Sequence, residues 1–349
     1  MRRPAPDGSI RDHHGKQRVN GPPRIIGICS LQQLRALCFS SRDMTVPAGF
    51  APTHPDSVIA EIERPFTLYQ PALQIVPVVV DVPHAGRRYP LAFVEASRLP
   101  LRMLRRSEDA YIDLLFSQVV ALGAPLLAAE FPRAYLDANR EPYELDPRMF
   151  DGRLPGFANT RSLRVAGGLG TIPRIVGETY EIYTGRIPVG VALARIEELY
   201  RPYHAGLRHL VNRTQASFGS CILVDAHSMP SAGLDRDGLA KADIILGDRF
   251  GTSASAFVVD AAEAAFSRAG LKVTRNRPYA GGFITEHYGA PGSGVHALQI
   301  EVSRALYMDE ATLEPHAGFA ALQQVISAAM AECFARWSGW TQDWRQAAE

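Results

Sequence analysis

Two apolar runs of this chain end alike: Val78-Val79-Val80-Asp81-Val82-Pro83-His84 and Ile222-Leu223-Val224-Asp225-Ala226-His227. Each reads as a buried strand carrying a histidine at its C-terminal tip. Open α/β sheets bind ligands in the crevice beyond the carboxyl ends of their strands. Imidazole is a common ligand of divalent transition metals, so two histidines brought to one sheet edge could hold an ion. Catalytic zinc usually takes three protein ligands and keeps one position open. A carboxylate or a further histidine is therefore wanted, and Glu108 and Asp109 are the best candidates. Asp109 shares i, i+3, i+4, i+7 spacing with Ile112, Asp113 and Phe116, which turns it toward the apolar side of a helix while Glu108 points elsewhere. Solvated positions on an exposed face are the plain alternative for both.

Gln299-Ile300-Glu301-Val302-Ser303-Arg304 ends a third strand-like run, and alternation puts Gln299, Glu301 and Ser303 on one face. A glutamate there could take a proton from water and return it to a leaving amine, as in zinc peptidases; a structural ion pair with Arg304 is the competing reading. Phe131 to Arg140 combines Arg133, Asp137, Asn139 and Arg140 beside another strand. Arginine forks match carboxylates, so the segment could hold an anionic substrate, or its arginines could pair with Asp137 and Glu141. Asn276-Arg277-Pro278-Tyr279-Ala280-Gly281-Gly282 is a turn-rich loop whose glycines permit close approach to a ligand. It lacks Gly-Lys-Ser/Thr and does not read as a phosphate loop. His204, in Arg201-Pro202-Tyr203-His204, is open between core packing and substrate contact, and His287 and His296 have no ligand spacing.

Strand-like and helix-like stretches alternate from about residue 56. Strands are expected at 75–82, 126–131, 221–225, 242–246, 272–274 and 297–302. Helices are expected at 101–122, at 189–217 with a kink near Pro202, at 253–269 and from about 310 to 337. Residues 141–187 read as a long excursion with short elements. This alternation implies a three-layer α/β/α architecture, with residues 56–349 as a single catalytic domain. Residues 1–55 read as a flexible N-terminal extension, with Met44 as a candidate start within it.

The chain has 349 residues, 46% hydrophobic and 21% charged, ample for a large core. Its net charge is +1, yet residues 1–43 hold eight Lys/Arg against three Asp, so residues 44–349 sum to −4. That leaves no basic footprint for nucleic acid. No apolar run approaches the roughly 20 residues that cross a bilayer, and no clear signal peptide is present. Cys29, Cys38, Cys221 and Cys333 form no C-x-x-C pair, which suits a reduced, cytoplasmic protein.

Six segments occur in the order of a known family: Pro83-His84-Ala85-Gly86, Arg133 with Asp137 to Arg140, Arg201 to His204, Asp225 to Ser228, Asn276 to Gly282, and Gln299-Ile300-Glu301-Val302-Ser303-Arg304-Ala305-Leu306-Tyr307-Met308. Over about residues 65–335 the chain resembles the N-formylglutamate amidohydrolase family. The resemblance implies a fold like the zinc carboxypeptidases, with a mixed sheet flanked by helices. It implies a metal-dependent hydrolase that splits N-formyl-L-glutamate into formate and L-glutamate in histidine degradation. By the same similarity His84 and His227 are metal ligands and Glu301 is the base. The carboxypeptidases place a Glu three residues after the first histidine; here that position is Arg87, so Asp109 is assigned as third ligand. The metal is expected to be Zn2+, with Co2+ or Mn2+ as alternatives. Arg133 would serve catalysis and the substrate's carboxylates, joined at the substrate by Asn139, Arg140, His204, Asn276, Tyr279, Gly281, Gly282 and Arg304. The expected partner is a small anionic molecule, with no nucleic acid and no membrane. Rival readings are a zinc peptidase or amidase for other acylated substrates, and a metal-free binding protein.

Overall fold

The central strands carry little alternation because both of their faces are covered. In the computed structural model, which describes residues 59–177, 179–231 and 242–348, seven strands make the main sheet. They are β1 (Phe66–Tyr69), β2 (Val78–Val82), β3 (Leu126–Ala129), β4 (Cys221–Met229), β5 (Ile244–Gly247), β6 (Val273–Arg275) and β7 (Val295–Ser303), in the order β1-β3-β2-β4-β7-β5-β6. The four central strands run parallel, β1 is antiparallel to β3, and β5 is antiparallel to β7. The sheet is therefore mixed. The expected extension, residues 1–55, and the start at Met44 lie outside the described residues.

Five helices matter for the site: α1 (Ile112–Leu115), α2 (Arg201–Phe218), α3 (Ala256–Arg268), α4 (Phe283–Tyr288) and α5 (Gly318–Ala348). Val78, Val80, Val82, Ile222, Val224, Leu298 and Ile300 point to one face and pack with α3 and α5. Val79, Leu127 and Leu223 point to the other and meet Tyr203, Leu207 and Leu210 of α2. Strands buried on both sides read as continuous apolar runs, which is why β2 and β4 are so rich in valine, leucine and isoleucine. Each such side chain contributes about 1.5–3 kcal/mol on full burial. Three layers result, as the alternation of elements implied.

Two expected helices differ. The last one begins at Gly318 rather than near 310, because residues 308–315 instead pair as a two-stranded turn, Met308–Asp309 with Glu314–Pro315. Residues 318–340 of α5 are long and apolar enough to meet a composition test for a membrane span, with a mean hydropathy of 1.2. Leu322, Ile326, Ala329, Met330, Cys333 and Trp337 nevertheless recur at helical spacing and are buried against the sheet face, so the core accounts for the apolar character.

The stretch 101–122 is not one helix. Short turns at Leu101–Leu104 and Arg105–Ser107 stop at Glu108, whose ψ of 146° is extended; α1 begins only after Tyr111, which has φ +67°. Helical spacing survives in the sequence because both flanking turns bury apolar residues, not because the backbone is continuous. The kink expected near Pro202 is a π-helical turn, Ile196–Tyr200, joining Val189–Arg195 to α2. Proline lacks an N–H and cannot continue the ordinary ladder there.

Candidate active site

The parallel pairing of β2, β4 and β7 delivers three side chains to one edge. His84 follows β2 by two residues, and on adjoining rungs of β4 and β7 His227 stands directly beside Glu301. Gly86 lets this edge close. A Cβ there would overlap the Phe131 carbonyl, so glycine is needed for close backbone approach.

Asp109 enters from the break in the 101–122 stretch, where its backbone N–H donates to the His84 carbonyl at 2.9 Å. Its Oδ2 lies 2.8 Å from His227 Nδ1 and 3.3 Å from His84 Nδ1. One donor atom from each of the three residues falls within 4.8 Å of the others, and all three residues are buried. A tetrahedral ion with bonds of about 2.1 Å sets its donors about 3.4 Å apart; the Asp109–His84 separation matches this and the Asp109–His227 separation is shorter. Glu108 goes elsewhere: its carboxylate accepts from Tyr89 Oη and from Arg105. Burial opposes ionisation of Asp109, but the hydrogen bonds and charge of His227 and His84 hold it well below the usual carboxylate range.

Each imidazole is oriented through its far nitrogen. His84 Nε2 is 2.7 Å from Asp137 Oδ1, and His227 Nε2 is 2.7 Å from Asp225 Oδ1. A carboxylate so placed fixes the His84 tautomer that presents Nδ1 to an ion; His227 Nε2 is also met by Asn139 Nδ2 at 3.0 Å. Asp137 also accepts from the Asn139 backbone N–H and from Arg133 Nε at 2.9 Å. It therefore joins a histidine of the site to an arginine. Burial opposes its ionisation too, yet the charges of Arg140, His84 and Arg133 keep it well below the usual range. Deeper still, Asp81 lies beside Asp225 across the β2–β4 pairing and accepts from Tyr203 Oη; burial and the Asp225 charge push its carboxyl well up.

Glu301 is buried and accepts from Gln299 Nε2 at 2.8 Å. Burial raises its pKa to about 8, with Asp109 and Asp225 adding to the rise and His227 and Arg133 opposing it. Such a carboxyl can both take and give a proton near neutral pH. Arg133 is about a quarter exposed (28%); beyond Nε its guanidinium makes no hydrogen bond among the described residues. Tyr279 lies where the charges of Glu301, Arg304, Arg133 and Asp109 all reach it.

The other sequence candidates are turned inward. Asn139 donates to Asp225 Oδ2 and accepts from the Ile284 N–H that opens α4. Arg140 bonds the carbonyls of Leu169 and Asn139 and lies 3.6 Å from Asp137. His204 sits between the Ala138 carbonyl and Tyr288 Oη, and burial lowers its pKa to about 3. Asn276, at φ +61°, caps the Asp248 and Phe250 N–H groups. Gly281 has φ +122°, and Gly282 donates to Gln299 and faces Asn139 so closely that any Cβ would overlap its amide. Arg304 is buried behind Asp109. Sequence reasoning gave no role to Asp81, Asp225 or Ser228, and read Asp137 only as a pairing partner of Arg133 and Arg140, which it is. The signal for two of them was present: an Asp interrupts both apolar strand runs just before the histidine, and a charge inside a buried strand needs a partner.

A mixed α/β sheet that gathers two imidazoles, a carboxylate and a buried glutamate of raised pKa at its carboxyl edge defines a hydrolase class. Within it, the chain belongs to the N-formylglutamate amidohydrolase family, hydrolases of a linear amide C–N bond, whose family model matches residues 76–308. It is 30% identical over 238 residues to an N-formylglutamate deformylase of Pseudomonas putida, a match covering 67% of this chain and 83% of that one. The N-formylglutamate deformylase of Pseudomonas aeruginosa is 29% identical with the same coverage. A crystal structure of an N-formylglutamate amidohydrolase from Ralstonia eutropha JMP134 is 36% identical with a TM-score of 0.73, over 78% of this chain and 99% of that chain. A gene product of Agrobacterium tumefaciens, 20% identical with a TM-score of 0.52 over 78% of this chain and 95% of its own, shares the fold.

Proposed function

We propose that the protein hydrolyses N-formyl-L-glutamate to formate and L-glutamate, with a divalent ion, Zn2+ foremost and Co2+ or Mn2+ as alternatives, held by His84 Nδ1, His227 Nδ1 and Asp109 Oδ2. The convergence of these three donors within 4.8 Å, next to Glu301, carries the reading. The names of the Pseudomonas relatives supply its substrate. An ion in this place supplies Lewis acidity to the formyl carbonyl and lowers the pKa of a water toward about 7.

The chain's own residues do the rest. Glu301 accepts the proton of the attacking water and returns it to the amide nitrogen as the C–N bond breaks, which gives formate and a free amine. Its burial makes both transfers accessible near neutral pH. Arg133, steadied through Nε by Asp137, turns its remaining N–H groups to the developing oxyanion or a substrate carboxylate. Tyr279 lies within reach of the charges of Glu301 and Arg133, and Gly282 backs the site through Gln299. Asn139, Arg140 and Arg304 act one layer back, through Asp225, Asp137 and Asp109.

Formate release is the test. N-formyl-L-glutamate, N-formyl-L-glutamine and N-acetyl-L-glutamate are compared on protein stripped by a chelator and reloaded with Zn2+, Co2+ or Mn2+. The reading expects formate chiefly from N-formyl-L-glutamate, lost on stripping and restored by reloading. Turnover that survives complete removal of metal, or no formate from any loaded form, overturns it.

A further inference from the structure

The residues just after Glu301 have a second task. Among the described residues, the turn that ends at Ser107 and the extended backbone after it leave the carbonyls of Arg106, Glu108 and Ala110 to find partners from outside. They come from the turn that follows β7. Arg304 Nη1 donates to the Arg106 carbonyl at 3.2 Å and Nη2 to the Glu108 carbonyl at 2.7 Å. Tyr307 Oη donates to the Ala110 carbonyl at 2.9 Å. The same Arg304 Nη2 reaches Asp109 Oδ1 at 3.2 Å, while its Nε donates to Ser228 Oγ, which itself donates to Asp109 Oδ1 at 2.9 Å. All three side chains, Arg304, Tyr307 and Ser228, are buried.

Two consequences follow for Asp109. The carbonyls on either side of it, Glu108 and Ala110, are tied to residues about 197 positions downstream, so the break is held rather than left to fray. One carboxylate oxygen, Oδ1, has two donors behind it, and only Oδ2 faces His84 and His227. We propose that Arg304 and Tyr307, with Ser228, are positioning residues that hold the 106–110 break and make Asp109 a one-oxygen ligand, which keeps a coordination position free for water and substrate. This rests on the reading of His84, Asp109 and His227 as the ligand set. In such a site a partner of a ligand typically sets metal affinity over about 10–100-fold.

The experiment measures Zn2+ affinity of the full chain by competition with a chromogenic chelator, alongside the thermal midpoints of stripped and loaded protein. Arg304→Met is expected to weaken Zn2+ by about 10–100-fold. Arg304→Lys is expected not to recover it, because one ammonium cannot serve four acceptors in a planar fork. Tyr307→Phe, which deletes a single oxygen, and Ser228→Ala are expected to weaken it by a few-fold and fold normally, so the idea is testable even if the arginine variants fail to fold. Co2+-loaded Ser228→Ala should shift toward the weaker visible bands of a higher coordination number, as Oδ1 loses one of its two donors. Wild-type Zn2+ affinity and Co2+ spectrum in Tyr307→Phe and Ser228→Ala, with equal losses of midpoint in stripped and loaded forms, would overturn the proposal. Full Zn2+ affinity in Asp109→Asn would instead overturn the ligand set beneath it.

Discussion

The two parts of the site are built in opposite ways. His227 and Glu301 stand side by side on β4 and β7, strands paired in parallel along nine residues, so regular hydrogen bonding sets their spacing. Asp109 and Arg133 come from segments with no regular structure of their own: a broken helix in one case, a turn after β3 in the other. There the spacing is set by side chains, Arg304 and Tyr307 on one segment and Asp137 on the other. The strand half needs only the sheet to be right; the loop half needs individual hydrogen bonds to be right. A substitution should therefore act through chemistry alone on the strands, and through geometry in the loops.

Glu301→Gln gives the sharpest contrast. It keeps the rung and the hydrogen-bond shape but removes the proton acceptor, so kcat should fall by about 10²–10⁴-fold with metal content unchanged. Steady-state kinetics with metal analysis checks this, and loss of the metal would show that the strand half is less independent than its pairing implies. Next in size is Arg133→Met, expected to lower kcat by about 10²–10³-fold if the guanidinium meets the oxyanion. A rise in KM with kcat intact would reassign it to a substrate carboxylate. Gly282→Ala should act by geometry alone, since its Cβ overlaps the Asn139 amide. A stability loss of about 1–3 kcal/mol by denaturant titration is expected, with reduced turnover in the folded fraction.

A last effect is in pH. In metal-free protein Glu301 titrates near 8, above its ordinary value. The unfolded chain loses that proton at lower pH than the folded one does, so this group contributes a stability that declines as pH rises from about 4.3 toward 8. Glu301→Gln should therefore gain stability over the wild type as pH climbs through that window, and the gain should level off above about 8. Thermal midpoints of chelated protein at pH 5 and pH 8.5 test it; equal differences at both would show that Glu301 ionises as an ordinary carboxylate.

The same contrast explains what the sequence could disclose. Strand residues were legible: β2, β4 and β7 write their burial as apolar runs, and His84, His227 and Glu301 stand at or near the ends of those runs. Asp109 was reached by a helical period that the backbone does not follow, and its approach to the imidazoles comes from the break at Glu108. Arg304, Asn139 and Arg140 have the residue types of substrate binders, yet their partners are carbonyls and carboxylates of the chain itself. Spacing along a sequence cannot tell a guanidinium aimed at a ligand from one aimed at a distant loop. The pairing of Asp137 with Arg133, four positions away, was legible, whereas its contact with His84, 53 positions away, was not.

The rung shared by His227 and Glu301 also bears on how such a protein could change its substrate. Neighbouring strands of any parallel sheet lie about 4.8 Å apart, so the spacing of the His227 and Glu301 backbones is a property of the architecture rather than of particular side chains. On the proposed reading, selection of the substrate falls to side chains outside that pairing such as Arg133 and Tyr279, while Asp137, Asn139 and Gly282 are tied to His84, Asp225 and Gln299 and leave little room for change. A lineage built on this sheet would be free to explore new amides with its reactive pair already in place.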